Sequence, residues 1–130
     1  MKWRDVHETV VAYYEDGSYM TEEISEQGIR ASGSKTGTKT RNYYNSNNDL
    51  AWKVVLTGKF TYTGSSATCT SSSINATIYN SAWYVVSKSS SKTSNKAKGT
   101  AVMGEKALGV TVGKVQVDLT LTCDANGNLS

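Results

Sequence analysis

Leu50-Ala51-Trp52-Lys53-Val54-Val55-Leu56-Thr57-Gly58-Lys59-Phe60-Thr61-Tyr62 decides the fold class of this chain. Leu50, Trp52, Val54, Leu56, Phe60 and Tyr62 share one parity, and Lys53, Thr57, Lys59 and Thr61 take the other. Successive side chains of a strand point to opposite faces, so the alternation makes one buried face and one wet face. Strands of this kind belong to antiparallel sheets with one face on a core. Gly58 falls on the apolar parity, which predicts a bend or a close crossing there. Burial of Trp52 and Phe60 contributes roughly 1.5–3 kcal/mol each.

The same period recurs outward from this stretch. Ile74, Ala76 and Ile78 alternate after it, and Ala97, Gly99, Ala101 and Met103 form an inward face of small residues. Val115, Val117, Leu119, Leu121 and Cys123 share a parity near the end. Val110 and Val112 lie on the other parity, which predicts a turn or bulge near Gly113. Before it, Thr9–Tyr14 and Tyr19-Met20-Thr21 flank Asp16-Gly17, a pair suited to the positive φ angles of a tight hairpin.

The chain has no proline, so Gly, Asn, Asp and Ser must make the turns. Asn45–Asp49, Gly64-Ser65-Ser66, Asn80-Ser81 and Thr93-Ser94-Asn95 read as turns. About eight short strands result, and the expected fold is all-β. It is an antiparallel two-sheet sandwich, immunoglobulin-like or related, with an N-terminal β-hairpin. Residues 31–40 are small and polar and read as a link, with the body starting near Thr36 in a strand that runs through Tyr43-Tyr44. They divide the chain into an N-terminal hairpin appendage, 1–32, and a β-sandwich domain, 33–130.

The net charge of +3 is too small to imply a nucleic-acid partner. Its distribution is uneven. Asp5, Glu8, Glu15, Asp16, Glu22, Glu23 and Glu26 crowd the first 28 residues, and the remainder is rich in lysine. The simpler reading is ordinary solubilising charge, and the alternative is an acidic hairpin that lies against a basic face of the body. No apolar run approaches the roughly 18 residues of a membrane-spanning helix. Residues 1–10 carry no signal-peptide core, so an exported protein is expected here in mature form, with Met1 an added residue.

Catalytic and metal chemistry find little support. His7 is the sole histidine, which leaves a hydrolytic triad without a placed base and zinc without a ligand set. Glu15, Asp16, Glu22 and Glu23 are the candidate paired carboxylates, and they read more simply as solvent-facing hairpin acids. Asp124, Asn126 and Asn128 have calcium-loop spacing, but Gly127 is misplaced and no closing Glu follows. Asn126-Gly127 reads as a turn. No enzyme activity, cofactor or metal is expected.

Two features remain. Cys69 and Cys123 both fall on inward parities, which predicts a disulfide across the core. It would close a loop of about 55 residues, worth roughly 4 kcal/mol. The aromatics Tyr13-Tyr14, Tyr43-Tyr44 and Trp83-Tyr84 occur as adjacent pairs. Adjacent strand residues face opposite sides, so one ring of each pair belongs to the core and the other to the surface. Trp83, Tyr84, Tyr43 and Tyr44 are the expected ligand-binding residues, since exposed Tyr and Trp stack on sugars or anchor proteins.

Several segments carry a resemblance. They are Lys35–Thr40, Tyr43-Tyr44-Asn45, Trp52, Gly58–Cys69, Trp83 and Leu121–Ser130. Through them, residues 33–130 resemble small, uncharacterised exported proteins of Gram-positive anaerobic bacteria. The resemblance implies export and brings no site residues with it. The expectation is therefore a secreted, non-enzymatic β-sandwich that binds a cell-surface glycan or protein. An antibacterial toxin, pore former or immunity factor is the alternative, since residues 63–101 alternate weakly as barrel strands do. A small hydrolase ranks third.

Overall fold

The computed structural model describes residues 8–26 and 33–130. His7, Met1 and residues 31–32 of the expected link lie outside them. The described residues form eight strands: β1 Thr9–Tyr13, β2 Tyr19–Glu26, β3 Ser34–Tyr44, β4 Leu50–Tyr62, β5 Ala67–Ile78, β6 Trp83–Thr93, β7 Lys96–Ala107 and β8 Val110–Thr122. They build two antiparallel sheets, one of five strands in the order β1-β2-β3-β4-β5 and one of three in the order β6-β7-β8. The all-β two-sheet sandwich is thus present. Every sheet neighbour is also a sequence neighbour, so the topology is a meander rather than the Greek key of immunoglobulin domains.

β4 lies at the heart of the fold because its alternation matches the pleat. Trp52, Val54, Leu56 and Phe60 are essentially inaccessible, whereas Lys59 and Thr61 are exposed. The facing layer comes from Ala97, Ala101 and Met103 of β7 and from Val117, Leu119 and Leu121 of β8, all buried. Small residues let the layers approach. A Cβ on Gly58 would meet the Phe60 ring at 2.7 Å and the Ala97 Cβ at 2.9 Å, so Gly58 marks a close crossing. The expected register shift is a bulge that sets Glu105 opposite Gly113 but Lys106 opposite Thr111.

The N-terminal hairpin is joined to the body by a full strand ladder. β2 pairs with β3 from Tyr19↔Tyr44 to Glu26↔Gly37, and β3 begins at Ser34, inside the stretch expected to be a link. Small polar residues there are strand residues, because Thr at every second position favours a pleated surface. The acids of the hairpin meet cations of the neighbouring strand. Glu22 pairs with Arg41 at 2.6 Å and Lys39 at 3.7 Å, and Glu26 pairs with Lys35 at 3.1 Å. These cations lie opposite Val54, Leu56 and Phe60 of β4, on the inward face of β3. Their side chains are largely covered, and Lys39 Nζ donates to Thr120 O of β8 at 2.9 Å and Lys35 Nζ to Gly127 O, so each ammonium group is satisfied at the margin where the second sheet packs on β3 but not on β2.

Both thiols are buried and unbonded, which corrects the expected disulfide. Inward parity placed both side chains in the core but did not bring the sulfurs to bonding separation. Each thiol instead donates to a nearby carbonyl, Cys69 to Ser71 at 3.3 Å and Cys123 to Asp124 at 3.4 Å. Their amides bond to successive carbonyls of the β6–β7 turn, Ser94 at 2.7 Å and Asn95 at 3.0 Å. Burial pushes both thiols above the ordinary cysteine value, away from the reactive thiolate form.

Candidate functional site

Asp16-Gly17 sets the first part of the site. Asp16 Oδ1 accepts from the Ser18 amide at 2.9 Å, and Gly17 adopts φ +92°, so the chain reverses tightly. That reversal puts Tyr13 opposite Tyr19, and the β2–β3 register puts Tyr19 opposite Tyr44. Three tyrosines from three adjacent strands therefore form a row on the outer face of the five-stranded sheet. Tyr19 and Tyr44 stack with centroids 5.0 Å apart and planes at 14°. Tyr13 lies 6.0 Å from Tyr19, tilted by 41°, and is 76% exposed. Tyr19 Oη donates to Asn48 Oδ1 at 3.0 Å, which holds its ring.

A polar row runs beside the rings. Glu8 Oε2 accepts from Tyr44 Oη at 2.8 Å, from Asn42 Nδ2 at 3.3 Å and from the Thr21 hydroxyl. Asn42 Nδ2 also donates to Glu23 Oε2 at 3.2 Å. Thr21 and Asn42 are buried although they lie on the outward face, because the Glu8 side chain roofs them. Buried polar groups need partners, and here each has one. The second oxygens of Glu8 and Glu23 have no hydrogen-bond partner among the described residues.

Burial, followed by the hydrogen bond to Glu8 and its charge, pushes the Tyr44 phenol up to about 12. Tyr44 is therefore a fixed donor at neutral pH. The folded value lies above the ordinary 10.0, so this contribution to stability is complete below pH 10.0 and is lost as pH rises toward about 12. Spectrophotometric titration is expected to show a phenol ionising at the high end of that window. Tyr44→Phe removes it, and Glu8→Gln brings it down. Titration of all phenols together near the ordinary value would contradict the Glu8–Tyr44 contact.

The four expected binding residues do not form one site. Tyr43 and Trp83 are core residues, only 8% and 7% exposed. Tyr43 stacks on Trp52 at 5.1 Å and meets Trp83 at 4.9 Å. Neither can stack on a ligand. Tyr84 lies on the outer face of the other sheet, its ring flat over Gly104, where a Cβ would sit 2.6 Å from its Cζ. Its hydroxyl is 2.5 Å from Thr111 Oγ1, and Lys106 Nζ is 4.8 Å from its centroid. Tyr84 is thus occupied in covering a strand glycine. Only Tyr44 of the four belongs to the tyrosine row. Tyr43-Tyr44 and Trp83-Tyr84 each split between inside and outside, as alternation requires, but Tyr14 lies past the end of β1 and both Tyr13 and Tyr14 are exposed, which corrects the expectation for that pair.

Tyr13, Tyr19 and Glu8 were missed as site residues. The signal for the first two was partial: Asp16-Gly17 marks the hairpin, but the alignment of 13 with 19 rather than 20 depends on the three-residue loop Glu15–Gly17 closed by Tyr14 N donating to Ser18 O. The candidate acids separate. Glu22 faces inward to Arg41, Glu23 faces outward to Asn42, and Asp16 caps its own turn. Asp124 Oδ1 is spent on the amides of Asn126 and Asn128, each at 2.9 Å, so that segment is a turn. Among the described residues no helix is long and apolar enough to cross a membrane. Comparison with family models, with curated proteins and with solved structures found no match.

Proposed function

We propose that this chain is an extracellular, non-enzymatic binding module that takes a surface glycan on the outer face of its five-stranded sheet. The observation that supports this reading is the row Tyr13–Tyr19–Tyr44 beside the carboxylates of Glu8 and Glu23. A sugar ring has one apolar C–H face and a rim of hydroxyls. Tyrosine faces suit the first, and carboxylate oxygens accept from the second. The rings are held by β-sheet register and by hydrogen bonds at Tyr19 and Tyr44, so little ordering entropy opposes binding. The resemblance of residues 33–130 to exported proteins supports a location outside the cell.

The test is a pull-down on purified bacterial cell wall and on mucin, followed by titration on whichever retains the protein. Saturable binding by the wild type is expected. Tyr13→Ala combined with Tyr19→Ala is expected to weaken it by about tenfold or more, roughly 1.4 kcal/mol, with stability little changed. No retention on either material, or equal retention of the double variant, would remove the glycan reading.

A further inference from the structure

Most turns among the described residues are polar. Asp16-Gly17-Ser18, Asn45–Asp49, Gly64-Ser65-Ser66, Ser94-Asn95 and Asn126-Gly127 follow the usual chemistry. The β7–β8 turn is Leu108-Gly109, with φ of 53° and 77°. Both central residues of such a two-residue hairpin need positive φ, a position that favours Asn, Asp or Gly over leucine. Leu108 is therefore held in a strained backbone with its side chain fully in solvent, at 103% exposure. Local strain at an exposed apolar side chain has no stabilising role in the fold, and such strain concentrates at functional points.

The surroundings extend the pattern. Every residue from Lys106 to Val112 is exposed, among them Ala107, Leu108, Val110 and Val112. Val110 is 63% and Val112 59% exposed. The hairpin thus projects past the core by about three residues per strand, roughly 10 Å. Lys106, inside the projecting segment opposite Thr111 and with its Nζ 4.8 Å from the Tyr84 centroid, and Lys114, farther back on β8, flank the apolar tip. The adjoining connection, tied on by Lys106 N donating to Ala82 O at 2.7 Å, carries the half-exposed Tyr79.

We infer that the β7–β8 tip is a docking point for an anionic lipid bilayer. Ala107, Leu108 and Val110 lead a projection of roughly 10 Å, within the depth to which peripheral elements enter the headgroup and acyl boundary. The two lysines flanking it meet lipid phosphates at the surface. A narrow convex tip also suits a fluid phase, whereas a stable protein interface needs about 800 Å² of complementary surface on each partner. Acids at this end, Glu15, Asp16 and Asp49, sit on turns of the five-stranded sheet, so the approach is by the β7–β8 corner. Glu105, on β7 itself, lies opposite Trp83 and is only partly exposed. This inference does not depend on the glycan reading.

The test is co-sedimentation with phosphatidylcholine vesicles, with and without phosphatidylglycerol. The wild type is expected to sediment with the anionic vesicles and to be released by salt. Leu108→Asn is the informative variant, because asparagine accepts positive φ and should melt no lower than wild type. It is expected to weaken partitioning about tenfold. Val112→Thr acts in the same direction, and Lys106→Gln with Lys114→Gln removes the preference for phosphatidylglycerol. Failure of the wild type to sediment with anionic vesicles, or equal sedimentation of Leu108→Asn, would overturn the assignment. Release of a trapped dye would replace peripheral docking with membrane damage.

Discussion

Replacing Trp52 with alanine is expected to lower the unfolding free energy by about 3–5 kcal/mol. Trp52 is fully buried in β4. Its ring stacks on Tyr43 within 8° of parallel, and Trp83 from the other sheet meets it edge-on at 5.7 Å. The three rings tie the two layers together at one end of the core, so truncation of one leaves a cavity between the sheets. Urea unfolding provides the measurement: the midpoint falls while the slope stays constant. Trp83→Ala is expected to behave similarly, which separates a core residue from a ligand-binding one. Trp52 Nε1 is buried with no hydrogen-bond partner among the described residues. Trp52→Phe removes that unpaired donor and is expected to cost less than alanine. A loss under about 1 kcal/mol for Trp52→Ala would mean that the rings are not packed in this way.

The second large effect is one of sign. Alanine normally stabilises a strand relative to glycine, by roughly 0.5–1 kcal/mol. Gly113→Ala in β8 should follow that rule, since an added Cβ there meets nothing within 4 Å. Gly58→Ala should do the opposite and destabilise by about 1–3 kcal/mol. Its Cβ would stand 2.7 Å from the Phe60 ring and 2.9 Å from the Ala97 Cβ. Phe60 is itself buried, and the Ala97 Cβ moves only with the backbone of β7, so relief needs the sheets to part. Paired thermal melts of the two variants decide the matter. Stabilisation by Gly58→Ala would refute the close layer contact at this point.

Much of the fold was legible because alternation is a local property. The parity of Leu50–Tyr62 sets which side chains of β4 are buried, whatever strands lie beside it. The same holds for Val115–Cys123 and for the small face Ala97–Met103. Asp16-Gly17 and Asn126-Gly127 form turns through their own side chains and backbone. Residues 34–44 were harder to read. Their inward positions carry Lys35, Lys39 and Arg41, since β3 lies near the margin of the second sheet and its cations find the acids of β2. A charged inward face does not look like a strand until the neighbouring strand is known.

The site was less legible than the fold. Periodicity gave the split of Tyr43-Tyr44 and Trp83-Tyr84 between core and surface, failed for Tyr13-Tyr14 at the end of β1, and did not say what the outer rings touch. Tyr84 covers Gly104, and Tyr44 joins Tyr19 and Glu8, though both are outer members of similar pairs. The cysteines illustrate the same limit, since inward parity is necessary for a disulfide and does not supply the separation.

The sequence by itself determined the strands, their buried faces, most turns and the all-β class, since these depend on side chains a few positions apart. Only the tertiary structure decided the meander order, the tyrosine row, the unbonded thiols and the projecting Leu108 hairpin. Those depend on register between strands and on how far one sheet extends past the other. Both are set by the sum of packing across the whole core, which no local pattern contains.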